Sequence, residues 1–222
     1  MKNKKPEDLL AKGCRDLGVV LSRQNLENLA WYCRELNKWN RKVNLIARTG
    51  EQEIIDKHFL DSLALLPILA NLETNSMLDL GTGAGFPGLV LKTALPDLEL
   101  LLVEARLKKT TFLRHIIRNL KLTNVEIMAA RLEPSPPEAR KNACPLIVSR
   151  AFASISGFLD LIRGYNPPGG RVICMKGPRA EEEIEEWRSS QPDSPFRLHF
   201  IHHYQLPFSG AERALVVFRK SP

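Results

Sequence analysis

Met77-Leu78-Asp79-Leu80-Gly81-Thr82-Gly83-Ala84-Gly85-Phe86-Pro87-Gly88 is the stretch whose reading decides the fold. A short apolar segment runs into four glycines and then into the helix-like Leu89-Val90-Leu91-Lys92-Thr93-Ala94. That is a strand, a tight turn and a helix start. Glycines in such a turn accept positive φ and let a ligand approach main-chain N–H groups that a Cβ would shield.

From residue 76 onward, apolar runs alternate with amphipathic segments, the pattern of βαβ units and a mostly parallel sheet. The expected strands are Ser76–Leu80, Leu98–Val103, Val125–Ala129, Leu146–Ser149 and Val172–Lys176, with two more near Phe196–Tyr204 and Ala214–Arg219. Helices between only the early strands predict an α/β fold, a doubly wound, mostly parallel seven-stranded sheet whose last pair forms a hairpin. Pro134-Ser135-Pro136-Pro137 reads as a loop and Ala180–Trp187 as an acidic, solvated helix.

Ahead of this core, which spans residues 71–222, residues 1–70 read as an N-terminal helical extension packed on it. The chain begins Lys-rich, where fraying is expected, and Leu9, Leu10, Leu17, Val19 and Val20 form the apolar set of residues 1–21. Ser22 is the expected N-cap of a helix with the apolar face Leu26, Leu29, Ala30, Cys33 and Leu36. That helix leads into Trp39-Asn40-Arg41-Lys42-Val43-Asn44-Leu45, where two cations, two amides and an aromatic gather. A second helical segment, Glu51 to about Leu65, carries His58 and Asp61 on neighbouring positions of one face. The pair reads first as a local hydrogen bond or as packing of the arm, and alternatively as a proton relay.

At 222 residues and 44% hydrophobic content the chain has a core for one α/β domain with an extension. Thirty-two Lys and Arg against 25 Asp and Glu leave a net charge of +7, which favours a polyanionic partner. Cys14, Cys33, Cys144 and Cys174 show no C-x-x-C spacing, so free thiols in a reducing cytoplasm are expected, without a metal site. Apolar runs such as Leu63–Ala70 are short and broken by Pro67, so no transmembrane helix is expected. A monomer is the expected state.

In a doubly wound sheet ligands sit beyond the carboxyl ends of the strands. After the first strand come Gly81, Gly83 and Gly85. After the second comes Glu104, about twenty residues past the glycines, the spacing at which a carboxylate accepts from ribose hydroxyls. After the third, Leu132 is positioned to pack on a base, with the Leu132–Glu133 backbone at its edge. Arg150 and Lys176 end the fourth and fifth strands and put two cations at the mouth of the site.

Two nucleotide readings compete. Gly83 to Gly88 fits the dinucleotide pattern G-x-G-x-x-G of nicotinamide-dependent oxidoreductases, whereas Asp79 to Gly85 fits the acidic-x-G-x-G-x-G of S-adenosylmethionine enzymes. The second register is favoured, because its first glycine directly follows the strand and Pro87 then falls near the first helical turn, where a missing N–H costs little. A tight turn with no ligand is the plain alternative. Asn166-Pro167-Pro168-Gly169 has the outline of an amine-gripping methyltransferase loop but lacks the aromatic residue, and reads as a turn. Cys144-Pro145 has the outline of a cytosine-methylating nucleophile but precedes the fourth strand, at the wrong end of the sheet.

Basic residues also gather near the open edge: Arg41 and Lys42, then Arg106, Lys108, Lys109, Arg114, Arg118 and Lys121. Positions 114, 118 and 121 follow i, i+4, i+7 opposite the apolar Phe112, Leu113, Ile116, Ile117 and Leu120. Such a stripe is ordinarily a solvated face. Beside a methyl-donor site and with the overall charge, a phosphate-tracking surface is the more economical account, with Arg41, Lys42, Arg106, Lys109, Arg114 and Arg118 contacting RNA.

Together these segments resemble the glucose-inhibited-division-B type of bacterial 16S ribosomal RNA guanine-N7 methyltransferases. Lys38–Leu45 resembles their W-N-x-x-x-N-L, Lys57–Ser62 their H-x-x-D-S, and Asp79–Gly88 their D-x-G-T-G-x-G-x-P-G; Ser149-Arg150-Ala151-Phe152-Ala153, Lys176-Gly177 and Glu212-Arg213 follow in order. Ile46 and Ala211 depart from it, standing where Thr and Gly are usual. The resemblance implies a Rossmann-like class I methyltransferase that moves the methyl group of S-adenosylmethionine to N7 of a loop guanine in 16S RNA of the 30S subunit. It implies donor contacts from Gly81, Phe86, Leu132, Glu133 and Arg150, with Glu104 on the ribose. Arg150 and Lys176 then serve positioning. A non-catalytic RNA-binding or assembly factor on the same fold is the remaining alternative.

Overall fold

The computed structural model describes residues 5–72, 74–150, 152 and 154–222. The first four residues of the Lys-rich start, and Ala151 and Ala153 of the Ser-Arg-Ala-Phe-Ala segment, lie outside the described residues. In chain order the elements are α1 (Pro6–Asp16), α2 (Arg23–Val43), α3 (Glu51–Ile54), a π-helical turn (Ile55–Leu60), α4 (Asp61–Leu63) and α5 (Leu66–Leu69). Then come β1 (Ser76–Leu80), α6 (Gly88–Ala94), β2 (Glu99–Val103), α7 (Leu107–Asn119), β3 (Val125–Met128), β4 (Leu146–Arg150) and α8 (Ile155–Ile162). The chain finishes with β5 (Arg171–Lys176), α9 (Ala180–Ser190), β6 (Phe196–Gln205) and β7 (Glu212–Lys220).

The seven strands lie in the order β3-β2-β1-β4-β5-β7-β6. β1 to β5 pair in parallel, while β7 inserts antiparallel between β5 and β6. The doubly wound sheet and its C-terminal hairpin are as the sequence pattern predicts, with strand ends shifted by a residue or two. From β1 the chain winds outward to β2 and β3, then crosses back to β4 on the other side. The crevice at that reversal is where such sheets hold ligands.

The central strands are apolar along their length because both faces are covered. Alternate residues go to opposite sides. Met77, Leu100, Leu102, Val148 and Val217 share a buried cluster with α1, α2, α6 and α7. Leu78, Leu80, Leu101, Val103, Ile147 and Val216 share another with α8 and α9. Leu10, Leu29, Leu36, Phe59 and Leu60 belong to the first cluster, so the N-terminal helices supply one layer of the core.

Local signals account for several boundaries. Ser22 caps α2, its Oγ accepting from Asn25 N at 3.1 Å, and Asn44 ends that helix in the left-handed region at φ 47°. The Asp56 carboxylate, in the π-helical turn, accepts from the N–H groups of Phe208 and Ser209 at 3.0 Å each and ties the arm to the β6–β7 connection.

Three expectations need correction. Val20 is 95% exposed instead of contributing to the apolar set. α9 is not solvated all round: Ala180, Ile184 and Trp187, at i, i+4 and i+7, are buried against the sheet, while Glu181, Glu182, Glu185, Glu186 and the last turn face water. Lys121 lies beyond the end of α7 with φ 53°, so it does not extend the stripe of Arg114 and Arg118. Among the described residues no helix is long and apolar enough to cross a membrane.

Candidate active site

The turn after β1 is fastened from three directions. Gly81 N and Thr82 N both donate to Val103 O, at 3.0 and 3.2 Å, which straps the turn to the end of β2. Asp79 Oδ2 accepts from Gly88 N at 2.7 Å, fixing the start of α6. The Tyr32 hydroxyl, from the fully buried face of α2, donates to the Ala84 carbonyl.

These fastenings divide the four glycines into two kinds. A Cβ on Gly85 would lie 2.2 Å from the Tyr32 hydroxyl oxygen, and one on Gly88 would lie 2.7 Å from Asp79 Oδ2. Those two are glycines for packing. Gly81, at φ +73°, has nothing within 4 Å of an added Cβ, and Gly83, at φ +63°, has only Lys109 Nζ at 3.5 Å and Gly81 O at 3.9 Å. The first two glycines therefore open onto free space, which fits the register beginning at Gly81.

Glu104 borders that space and is 7% exposed. Its Oε2 accepts from Gly83 N at 3.1 Å and its Oε1 from Arg106 N at 2.8 Å, so both oxygens are oriented by backbone and keep lone pairs for further donors. Lys109 Nζ stands 3.8 Å from Oε2, so this cation sits at the turn instead of on the outer basic face. Leu132 is buried at 8% exposure, Glu133 is exposed, and the Glu133 carbonyl accepts from Tyr165 Oη at 2.9 Å, pinning this loop behind α8. A glycine face without Cβ atoms, an acidic side chain beside it and an apolar side chain on the next loop suit the ribose and base of S-adenosylmethionine.

Phe86 is 1% exposed, stacked between Tyr32 (ring centroids 5.8 Å apart) and His58 (5.0 Å). Its side chain is turned into packing beneath the turn. Arg150 lies over the same ring, 5.0 Å from its centroid. Arg150 Nη1 donates to Lys57 O at 3.0 Å and lies 3.5 Å from Asp61 Oδ2. Asp61, 3% exposed, also accepts from Tyr204 Oη at 2.7 Å and lies 3.4 Å from Arg213 Nε. Burial, with the Asp61 carboxylate beside it, pushes the Tyr204 phenol well up.

A cleft of about 360 Å³ above β4 and β5 is lined by Lys57, His58, Asp61, Arg150, Met175, Lys176, Gly177 and Arg213. Lys176 does not project freely into it: Nζ donates to Glu183 Oε2 at 2.6 Å and to Phe152 O at 3.1 Å. Arg150 and Lys176 thus meet at one cleft, as their strand-end positions predict, but each is held by a partner, Arg150 by the buried Asp61 and Lys176 by the partly buried Glu183.

His58 and Asp61 do not bond each other. The π-helical turn carries His58 towards Phe86, while Asp61 faces the two arginines. Burial lowers the His58 pKa from 6.5 to about 3, helped by the Arg150 charge, and Nδ1 has no partner. Burial raises Asp79 from 3.8 to about 6 against the lowering effects of Thr82, Gly88 N and Arg150. Asp79 Oδ1 and the Thr82 hydroxyl nonetheless lack a partner of good geometry.

Arg41, Lys42, Arg106, Arg114 and Arg118 are all exposed. Cys144 is buried with its thiol pushed up by burial, and Asn166 Nδ2 donates to Cys144 O at 2.9 Å, so both segments form a turn at the amino ends of the strands. Tyr32 is the site residue that sequence reasoning missed. It lies on the buried side of α2 with Leu29, Ala30, Cys33 and Leu36, and nothing in the local pattern marks its hydroxyl as reaching the glycine turn.

Comparison with known proteins gives concordant results. The family GidB, rRNA small subunit methyltransferase G, matches residues 25–215. The ribosomal RNA small subunit methyltransferase G of Desulfotalea psychrophila is 49% identical over 211 residues, covering 95% of this chain and 96% of that protein. Among solved structures, TrmN from Thermus thermophilus superposes with a TM-score of 0.57 at 18% identity, covering 82% of this chain and 53% of that one. A SAM-dependent methyltransferase from Aquifex aeolicus gives a TM-score of 0.53 at 17% identity, covering 75% and 92%. Both structural likenesses concern the fold.

Two outcomes follow from the geometry of the turn and of His58. Gly81→Ala is expected to cost roughly 1–2 kcal/mol from its left-handed backbone and to weaken S-adenosylmethionine binding in calorimetry. Gly85→Ala is expected to destabilise more in urea unfolding, and Tyr32→Phe to restore part of that loss by removing the colliding oxygen, a non-additive pair. For His58, the unfolded chain takes up a proton near pH 6.5 that the fold refuses down to about pH 3, so its contribution to stability falls as pH drops through that window. Asp79, raised to about 6, contributes in the opposite sense between about 6 and 3.8, so the comparison must be with a His58→Gln variant. Below pH 6 wild type is expected to lose roughly 1 kcal/mol per pH unit relative to the variant; parallel stability curves would contradict a buried neutral His58.

Proposed function

Because the chain belongs to the rRNA small subunit methyltransferase G family, we infer that it transfers the methyl group of S-adenosylmethionine to N7 of a loop guanine in 16S ribosomal RNA. The observation that carries the donor half of this reading is the glycine face open at Gly81 and Gly83 with the Glu104 carboxylate 3.1 Å from Gly83 N. Residues 71–222 serve as the methyltransferase domain, with residues 1–70 as its extension. The protein acts as a monomer in the cytoplasm.

In this reading Gly81, Gly83 and Gly85 shape the donor turn, Glu104 accepts from the ribose, and the Leu132–Glu133 loop borders the base. Phe86 acts from beneath, through packing and backbone. When bound, S-adenosylmethionine supplies an electrophilic methyl group. Guanine N7 carries an in-plane lone pair and no proton, so the chain needs neither a general base for that atom nor a covalent nucleophile. A neutral, packed His58 and buried, unpaired cysteines agree with that demand. What remains for the residues of the cleft is alignment. Arg150 bridges the donor side, through Phe86, and the acceptor cleft, through Asp61 and Lys57 O. Lys176, neutralised by Glu183, fixes the far wall. Arg41, Lys42, Arg106, Lys109, Arg114 and Arg118 form the RNA-facing set, Lys109 at its inner end beside the donor turn.

Incubation with methyl-labelled S-adenosylmethionine and either 30S subunits or naked 16S RNA, followed by nucleoside mass spectrometry, is expected to yield labelled 7-methylguanosine. RNA binding without label would favour the assembly-factor alternative. Arg150→Ala is expected to slow single-turnover methyl transfer by on the order of a hundredfold, with a much smaller loss of stability, since Asp61 keeps Tyr204 and Arg213. An unchanged single-turnover rate would remove Arg150 from this role.

A further inference from the structure

Lys38–Leu45 takes no part in the donor turn or in the cleft above β4 and β5, yet its end builds a second concavity. A cleft of about 470 Å³ opens between the C-terminal part of α2 and the connection to α3, lined by Asn37, Asn40, Arg41, Arg48, Thr49 and Glu51. We propose that this cleft binds a backbone phosphate of the RNA substrate, a contact separate from both the donor turn and the acceptor cleft. The proposal rests on the inferred RNA substrate and extends it to a particular anchoring site.

Asn40 carries the argument. It is 5% exposed, and its Oδ1 accepts from Leu45 N at 2.7 Å and from Ile46 N at 2.9 Å. Those two bonds fix which way the amide points. With Oδ1 committed to the loop backbone, Nδ2 has no acceptor among the described residues and is not sealed off from solvent, and Asn40 lines the cleft. An amide donor held in a fixed direction by its own oxygen's two bonds and reachable from the cleft can bond an incoming oxygen without reorganising.

The charges around it are arranged for an anion. Arg41 and Arg48 are both exposed, and among the described residues neither forms an ion pair. Nearby acids are already engaged: Glu53 with Lys57 and Thr49, and Glu35 with His115 and Lys38. Glu51 also lines the cleft, so its walls carry two guanidiniums against one carboxylate. Lys42 adds a further exposed cation alongside. The plainer account, in which cations in the last turn of α2 offset the helix dipole, covers Arg41 and Lys42. It leaves Arg48, outside any helix, and the Asn40 donor unexplained. Planar guanidiniums and an amide N–H are phosphate-binding groups, and a phosphodiester is the anion that an RNA substrate brings to every such surface.

Three variants test this. Arg41→Ala/Arg48→Ala removes the guanidiniums from exposed positions. Asn40→Asp keeps an acceptor for Leu45 N and Ile46 N but puts a carboxylate where the donor was. Arg48→Ala alone is a loop change that leaves the Asn40 bonds untouched. For each, the KM for 16S RNA, the salt dependence of RNA binding and the Kd for S-adenosylmethionine are measured. The double variant and Asn40→Asp are expected to raise the RNA KM by tenfold or more at an unchanged donor Kd. Losing one phosphate contact is expected to lower the slope of log K against log salt by roughly 0.7–0.9. A wild-type KM and slope in the double variant, or in Arg48→Ala should the others fold poorly, overturns the proposal. An Asn40→Asp variant that folds and binds RNA normally overturns it too. If wild type itself neither binds nor methylates RNA, the function inferred above fails; if wild type methylates and the variants do so equally well, only the phosphate cleft fails.

Discussion

The site depends on how the glycine turn is held from below. Val103 O accepts two main-chain hydrogen bonds from it, Asp79 accepts one and the Tyr32 hydroxyl donates one, and all three of these groups are buried. A turn fastened that way keeps its upper main chain clear, which a small-molecule donor requires and a solvent-fastened loop would not provide. The same fastening explains why four glycines stand where two face the ligand: Gly85 and Gly88 are the absence of a Cβ where Tyr32 and Asp79 must fit.

From this constraint the N-terminal helices acquire a structural reason. Tyr32 comes from α2, and Phe59 and His58 come from the helical run that follows; together they enclose Phe86 on several sides. Residues far from the turn in sequence, Tyr32 more than fifty positions before Phe86, therefore form its floor. The neighbouring cleft is organised by buried charge. Asp61 stands between Arg150 and Arg213 with the Tyr204 hydroxyl on one oxygen, and Lys176 is matched by Glu183. Such pairs contribute little net stability, because desolvation offsets attraction, but they fix side-chain directions. Fixed direction is what a methyl transfer to a lone pair asks of its surroundings.

Much of this was legible in the sequence, for local reasons. The parallel strands declare themselves as uninterrupted apolar runs, the Ser22 cap and the glycines mark boundaries, and strand-end positions single out Glu104, Arg150 and Lys176. What stayed hidden depends on long-range contact. Nothing local distinguishes Tyr32 from other apolar positions of α2, and an i, i+3 pair such as His58 and Asp61 does not announce a π-helical turn that sends one towards Phe86 and the other towards Tyr204. The acidic run of α9 concealed a buried face because its three apolar residues are sparse, and Lys121 fits a helical spacing although the helix ends at Asn119. The family resemblance named the acceptor, which neither the turn nor the basic stripe identifies alone.

The central claim is that the face above Gly81 and Gly83, bordered by Glu104, is a site for S-adenosylmethionine. Parallel calorimetric titrations of the full chain with S-adenosylmethionine and with NAD, without RNA, address it most directly. The account predicts saturable one-to-one binding of S-adenosylmethionine and no measurable binding of NAD. Tight binding of NAD alone would contradict it.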